Sequence, residues 1–486
     1  MKTPQKIYDF RFDKVRARVA TAFKRSGLRG TIADIVVQSG LPKYQVESVV
    51  PALVSDSQGQ MAVTESGEIV YRFPSGIRAP RRTWAKKFIS AIQSVLTLAF
   101  KAWIVVMLVG YFVLFVIILI AAVLASLAIS AARRDDNRDD GGLLGGLLVS
   151  RVFEFFLLFW LYSGDHEGRR QKRSKPFHKA VFDFVFGGQN PEPQWLRDER
   201  RAVIAAIRER KGVYRLEELV ALTGRPRGDA DALMSRLLLE YEGEPSVSDD
   251  GTLYFRFPEL LRTSETTPSA ASLPERDLIP FTRNPGNVNL WIGLLNGFNI
   301  VLGGYFLYFS LQGFAAVQAA QVPASFVYLV TVVLSAQFFH LSTVAAGASA
   351  ITWILGVVPT VYSAFFFGIP LIRRLREKSK NLQIRLNNFR RKIVSSVLRK
   401  PLAIDLAAVN PDHERNSAGK PGLDRENLKE KLVRDFVGDR SIEVPEPGIL
   451  AVPELDREAK DIEQVRHKTD LAAYRLGKVI FDSEKS

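Results

Sequence analysis

One pattern occurs twice in this chain, and it limits the fold more than any other feature. The stretch from Asp13 to Pro74 runs in register with the stretch from Asp198 to Pro258 across a single one-residue gap. Gly27 meets Gly212, Gly40 meets Gly224, Pro42 meets Pro226, Gly59 meets Gly243 and Gly67 meets Gly251. Both stretches close on an aromatic-Arg-Phe-Pro run. A sequence repeated at this length reads as one supersecondary unit used more than once. Val15, Val19, Ala22 and Phe23 share one helical face. Ile32, Ile35 and Val36 mark a short second helix. Gly40-Leu41-Pro42 is a turn that places proline at a helix start. Val46, Val49, Val50 and Leu53 follow with the i, i+3, i+4, i+7 spacing of a third helix. Met61 and Val63, the turn Glu65-Ser66-Gly67, and the alternating Ile69, Tyr71 and Phe73 make a hairpin. The second copy supplies Ala230, Leu233, Met234 and Leu237 at the third-helix sites.

Three helices and a hairpin in about sixty residues resemble the winged-helix domain. The resemblance makes the third helix the candidate interaction helix. It offers Lys43, Tyr44 and Glu47 in the first copy, and Arg227, Asp231 and Arg236 in the second. Both sets mix acids with bases. The wings carry Glu65, Glu68, Asp249 and Asp250, which phosphates would repel. A third, degenerate copy is expected over 385–455. There Arg390-Arg391 falls on Arg200-Arg201, and the run 443–455 echoes 247–260.

Aliphatic and aromatic residues concentrate in two blocks. No charge occurs from Ala102 to Ala132, and about twenty apolar residues suffice to span a bilayer. The run 143–162 is apolar but holds Arg151 and Glu154 at i, i+3. The second block divides into 288–311, 323–345 and 347–371, with Asn296, Asn299, Gln337 and His340 as candidate intramembrane polar sites. Modules on one side of a membrane need an even number of crossings between them. Gly356, Pro359 and Pro370 therefore single out 347–371 as the broken or re-entrant segment. The alternative is that 143–162 lies in the interface.

The expected fold class is mixed: α-helical transmembrane segments alternating with small α+β winged-helix domains. In order these are a lead-in at 1–12, winged helix 1 at 13–74 and a basic membrane approach at 75–101. A transmembrane hairpin at 102–162 and a basic junction at 163–197 lead to winged helix 2 at 198–258. A linker at 259–285 and a transmembrane region of two to three segments at 286–372 follow. The possible third winged helix and a surface segment at 456–486 complete the chain. The run Val181 to Pro191, followed by the second copy, resembles a family of uncharacterised membrane proteins of cyanobacteria and plastids. Plant members of that family carry an iron–sulfur biosynthesis label, yet this chain has no cysteine to hold a cluster.

The net charge of +15 is assigned mainly to basic flanks of the apolar blocks, such as Arg81, Arg82, Lys86 and Lys87, and Arg373, Arg374 and Arg376. The first residues lack an apolar core of the signal-peptide kind, so the N-terminus is expected to stay where it is made. No HExxH, Walker or GxSxG motif occurs, and the five histidines are scattered. No cofactor and no enzymatic activity are expected. The expectation is an integral membrane scaffold or assembly factor. It would sit in a bacterial inner membrane or its equivalent, with its modules cytosolic. Its partners would be membrane lipid and a protein or a second copy of itself, with nucleic acid less favoured. The alternatives are a membrane-tethered DNA-binding regulator and a transporter or channel.

Overall fold

The computed structural model describes residues 10–77, 84–132, 176–188, 190–263, 273–320, 322–338, 340, 343–405 and 425–483. In chain order the elements begin with α1 (Phe12–Arg25), β1 (Arg29–Gly30), α2 (Ile32–Ser39), α3 (Lys43–Ser57), β2 (Gln60–Thr64) and β3 (Ile69–Arg72). Next come α4 (Trp84–Ala132) and α5 (Phe177–Phe186). The second series is α6 (Glu192–Glu209), β4 (Val213–Tyr214), α7 (Leu216–Thr223), α8 (Arg227–Glu240), β5 (Glu244–Val247) and β6 (Leu253–Arg256). Then follow α9 (Gly286–Gln312), α10 (Phe314–Ala320), α11 (Phe326–Phe338), α12 (Val344–Ile351) and α13 (Val358–Arg399). The last elements are β7 (Ile404–Asp405), α14 (Arg425–Val437), β8 (Glu443–Glu446), β9 (Ile449–Ala451), α15 (Pro453–Lys468) and β10 (Val479–Asp482).

The chain forms two compact units. One gathers residues 1–81, 191–279 and 380–486; the other holds 82–190 and 280–379. Three small modules make up the first unit. Their strand orders are β1-β3-β2, β4-β6-β5 and β7-β9-β8, all antiparallel. In the first two modules a helix, a two-residue strand, two helices and a hairpin follow in the same order.

Local chemistry explains that order. Thr31 starts α2 with a reciprocal cap, its backbone N–H donating to Asp34 Oδ2 at 2.8 Å and its hydroxyl accepting from the Asp34 N–H. In the second module the Arg215 N–H donates to Glu218 Oε2 at 2.9 Å at the same place. Gly40 (φ 64°) and Gly224 (φ 69°) end α2 and α7 in the left-handed conformation that other residues resist. Gly59 and Gly243 are small for another reason. A Cβ there would lie 2.8 Å from the Phe73 ring and 2.7 Å from the Phe257 ring. One apolar core runs through all three modules, including Phe23, Phe73, Ile204, Phe257, Val394 and Phe436. Each such side chain contributes about 1.5–3 kcal/mol by leaving water.

Several boundaries differ from the sequence reading. The helix α6 starts at Glu192 rather than 198, and α4 starts at Trp84, inside the supposed membrane approach. The third module takes its first helix from the last turns of α13, where Ile393, Val394 and Val397 are buried. Residues 273–279, read as part of a loose linker, form a docked strap. Its Arg276 and Ile279 backbones each exchange two hydrogen bonds with a side-chain amide, Asn388 and Asn381 respectively. The segment 456–486, read as a surface appendage, is also fixed. Ile462 of α15 packs with Val213 and Tyr254, and β10 pairs antiparallel with β2 to give the sheet order β1-β3-β2-β10.

Three helices among the described residues are long and apolar enough to cross a membrane: Ile92–Ile129, Gly286–Gln312 and Val344–Arg399. The expected break in 347–371 is absent. The helix passes from α12 through a π-helical turn, Thr352–Val357, directly into α13. Pro359 lacks an N–H and its ring crowds the carbonyl one turn back, and the widened π turn just before it makes room. Gly356 brings the α9 backbone close, since a Cβ there would sit 3.1 Å from Leu307 Cα. The interruption falls instead after α11. That helix has 13 residues, too few to span alone. His340 turns to φ 49°, and the Thr343 hydroxyl caps α12 by accepting from the Ala346 N–H at 3.2 Å.

Candidate functional site

The candidate interaction residues lie mostly in two grooves of the first unit, each at a junction between successive modules. At the first junction Lys43, the first residue of α3, donates from Nζ to Glu242 Oε2 at 2.7 Å and Glu259 Oε2 at 3.0 Å. Arg262 closes the other side, with Glu68 at 3.4 Å and Glu259 at 3.1 Å. The groove is about 380 Å³ and is floored by Ile32, Val36 and Tyr71. Burial draws the Lys43 pKa down, but the hydrogen bonds to Glu242 and Glu259 outweigh it and hold the ammonium above its usual range. Glu47 is pushed up, first by burial and then by the carboxylates around it.

The second junction repeats the arrangement. Arg227, the first residue of α8 and the partner in register of Lys43, donates to the Phe436 carbonyl at 3.3 Å. With Asp231 it lines a groove of about 410 Å³ against Arg440, Glu454 and Glu458. The receiving surfaces correspond as well. Pro258-Glu259-Leu260 and Pro453-Glu454-Leu455 each follow the last strand of their module, and both leucines are buried. The capping glycines also face the next module alike. A Cβ on Gly40 would meet Arg201 Cγ at 3.2 Å. One on Gly224 would fall on the Asn387 carbonyl, with Arg391 Cβ at 3.1 Å.

The electrostatics of the two junctions differ. Arg440 bonds buried Glu217 at 2.8 Å and Glu458 at 2.9 Å and 3.0 Å. Burial alone would raise the Glu217 carboxyl. The Arg440 charge, the backbone and Arg215 overcome this and hold it below the usual carboxylate range. Nearby, Arg466 of α15 grips Glu218 at 2.8 Å and the Val213 carbonyl at 3.0 Å.

The remaining candidates scatter. The Tyr44 ring meets Phe10 edge-on at 6.2 Å, and Arg236 bonds its own helix at Glu240, so neither lines a groove. Asn296 bonds the Ser363 carbonyl at 3.3 Å and accepts from its hydroxyl at 3.0 Å, while Asn299 donates to the Leu108 carbonyl at 2.8 Å. These two asparagines fasten α9 to α13 and α4. Gln337 and His340 are exposed at the end of α11, where the His340 N–H donates to the Gln337 carbonyl at 3.2 Å. Arg151 and Glu154 lie outside the described residues. No group of side chains suited to a metal ion occurs among the described residues. Sequence reasoning missed the receiving acids Glu242 and Glu259 and the Arg440 cluster. The repeated Pro-Glu-Leu was the available signal.

The chain is 25% identical over 412 residues to an uncharacterised chloroplastic protein of Arabidopsis thaliana, a match covering 80% of this chain and 73% of that one. No protein-family model matches the chain, and no solved structure is significantly similar to it.

Proposed function

We propose that the three modules are winged-helix domains on one side of a membrane, and that the chain is a non-enzymatic membrane scaffold or assembly factor that binds protein. The order of helices and strands in the first two modules, and the like strand order of the small sheet in the third, support the domain assignment. One observation carries the functional reading. In a DNA-reading domain of this kind the start of the third helix enters the major groove. Here Lys43 and Arg227, which open that helix in the first two modules, both bond the next module, Lys43 at two glutamates and Arg227 at the Phe436 carbonyl. The recognition surface is thus used for protein contact, head to tail. The third module ends the stack, and its strand β8 is fully exposed and bears Glu443 and Glu446, a surface suited to a basic partner.

Sidedness has two supports. All three modules belong to one compact unit, and two helices of spanning length, α9 and the long helix ending in α13, separate the second module from the third. Single cysteines at Ser55, Asp249 and Ser379 are expected to label from the same side. A photocrosslinker at Val444 of the full chain should capture a partner protein, whereas one at Lys43 should capture only this chain. Duplex DNA should bind without sequence preference, at the roughly 10⁻⁴–10⁻⁶ M of non-specific contact. Discrimination of about 10³-fold between sequences would overturn the reading in favour of a DNA regulator.

A further inference from the structure

At the first junction a second groove, of about 370 Å³, opens between α1 and α6. Arg18 and Arg25 of α1 line one wall, Arg197 and Arg201 of α6 the other, and Thr21 and Ser39 add hydroxyls. Among the described residues one acid lines the groove. Asp198 stands 3.7 Å from Arg201, a long ion pair and half-exposed. Arg18, Arg25 and Arg197 have no hydrogen-bond or ion-pair partner among the described residues, and Arg201 Nε is buried without one. Cations gathered this closely oppose folding unless an anion joins them.

The second junction provides the control. Arg391 is the counterpart of Arg201, and both stand against a capping glycine. Arg391 is satisfied: it donates to the Pro274 carbonyl at 2.9 Å and to the Leu273 carbonyl. Its neighbour Lys392 pairs with Glu275 at 2.9 Å. The strap 273–279 thus brings oxygen acceptors to the second junction. Among the described residues nothing equivalent reaches the first.

We propose that the groove between α1 and α6 is a phosphate-binding site that takes an anionic lipid headgroup or a soluble phosphorylated ligand. Guanidinium forks on two facing walls match phosphate oxygens bidentately, which a lysine cluster would not do. Burial, and then the charges of Arg197, Arg201 and Arg200, hold the Arg18 guanidinium below its usual pKa. That shift is the expected mark of an uncompensated cluster. The size of the groove suits one or two phosphates rather than a track along a nucleic-acid backbone.

The test is thermal melting of the full chain in phosphatidylcholine nanodiscs at constant ionic strength. Sodium pyrophosphate is added in one arm, and phosphatidic acid replaces part of the lipid in the other. A saturating ligand should raise the melting temperature by about 5 °C. A rise in the first arm identifies a soluble ligand, a rise in the second a headgroup, and either supports the site. Arg18→Gln and Arg197→Gln should each melt above the unsubstituted protein in phosphate-free buffer, because repulsion is relieved, and each should lose the response. Arg25→Gln repeats the test should either variant fail to fold. The proposal is overturned by the absence of a rise in both arms, by an equal rise in the variants, or by variants that lose only a response to duplex DNA.

Discussion

At the junction of the first and second modules Lys43 reaches two glutamates that water also reaches, whereas at the next junction Arg440 is enclosed between Glu217 and Glu458. The chain uses the same helix ends, capping glycines and Pro-Glu-Leu surfaces at both places. The difference lies in how completely charge is withdrawn from water. The first junction keeps open grooves and an unsatisfied arginine cluster. The second also keeps a groove, of about 410 Å³, but there the strap 273–279 takes up Arg391 and Lys392, and Arg440 and Arg466 take up the buried carboxylates. Two contacts of similar geometry therefore differ in how fully their charges are paired.

The largest expected effect is that of Arg440→Ala. It strands buried Glu217 and should cost about 3–5 kcal/mol in urea unfolding, while Lys43→Ala should cost about 1 kcal/mol or less. Equal costs would break the comparison. Next are the glycines. Gly224→Ala combines a left-handed backbone with a collision against the Asn387 carbonyl, so a loss of about 2–4 kcal/mol is expected. Gly40→Ala has as its closest contact the flexible Arg201 side chain, with backbone atoms at ordinary van der Waals distance, and should lose about 1–2 kcal/mol in the same melts. Ending the chain after Tyr474 removes β10, whose backbone pairs with β2, but leaves α15 whole. A loss of about 1 kcal/mol is expected, with faster amide exchange in β2 and none gained in α8.

The smallest effect is on pH. The Glu217 pKa is depressed by folding, so its stabilisation is present above the usual carboxylate range and is lost as pH falls through the lowered value. The Lys43 pKa is raised, so its contribution is present below the usual lysine range and is lost as pH rises past it. Charge-reversal scans of each junction should therefore show the second loosening in acid and the first in alkali.

Much of this architecture was legible in the sequence. Val15, Val19, Phe23, Val46, Val49 and Leu53 all enter the core at the periodicities that the sequence displays, because burial acts on one face of each helix. The long apolar helices were visible as composition. The rest depended on neighbours distant in sequence. Gly356 and Pro359 read as helix breakers, yet the π turn and the approach of Leu307 carry the helix past them. Similarly, 323–345 was apolar enough to read as a span, but its polar end closes it after Phe338. Composition records transfer free energy, whereas helix continuity depends on hydrogen-bond geometry that local packing can adjust.

The helical periodicities, the hairpin turns and the apolar blocks were determined by the sequence itself, since each rests on spacing within one segment. The tertiary structure alone decided which face of each module meets the next. Lys43, Arg227, Arg391 and Arg201 are indistinguishable in sequence as surface cations. Glu242, Phe436, Leu273 and Pro274 decide which of them are neutralised, and those partners lie 117 to 209 residues away along the chain. Charge is compensated by proximity in space, and a chain that builds three modules from distant segments sets that proximity only once its core has closed.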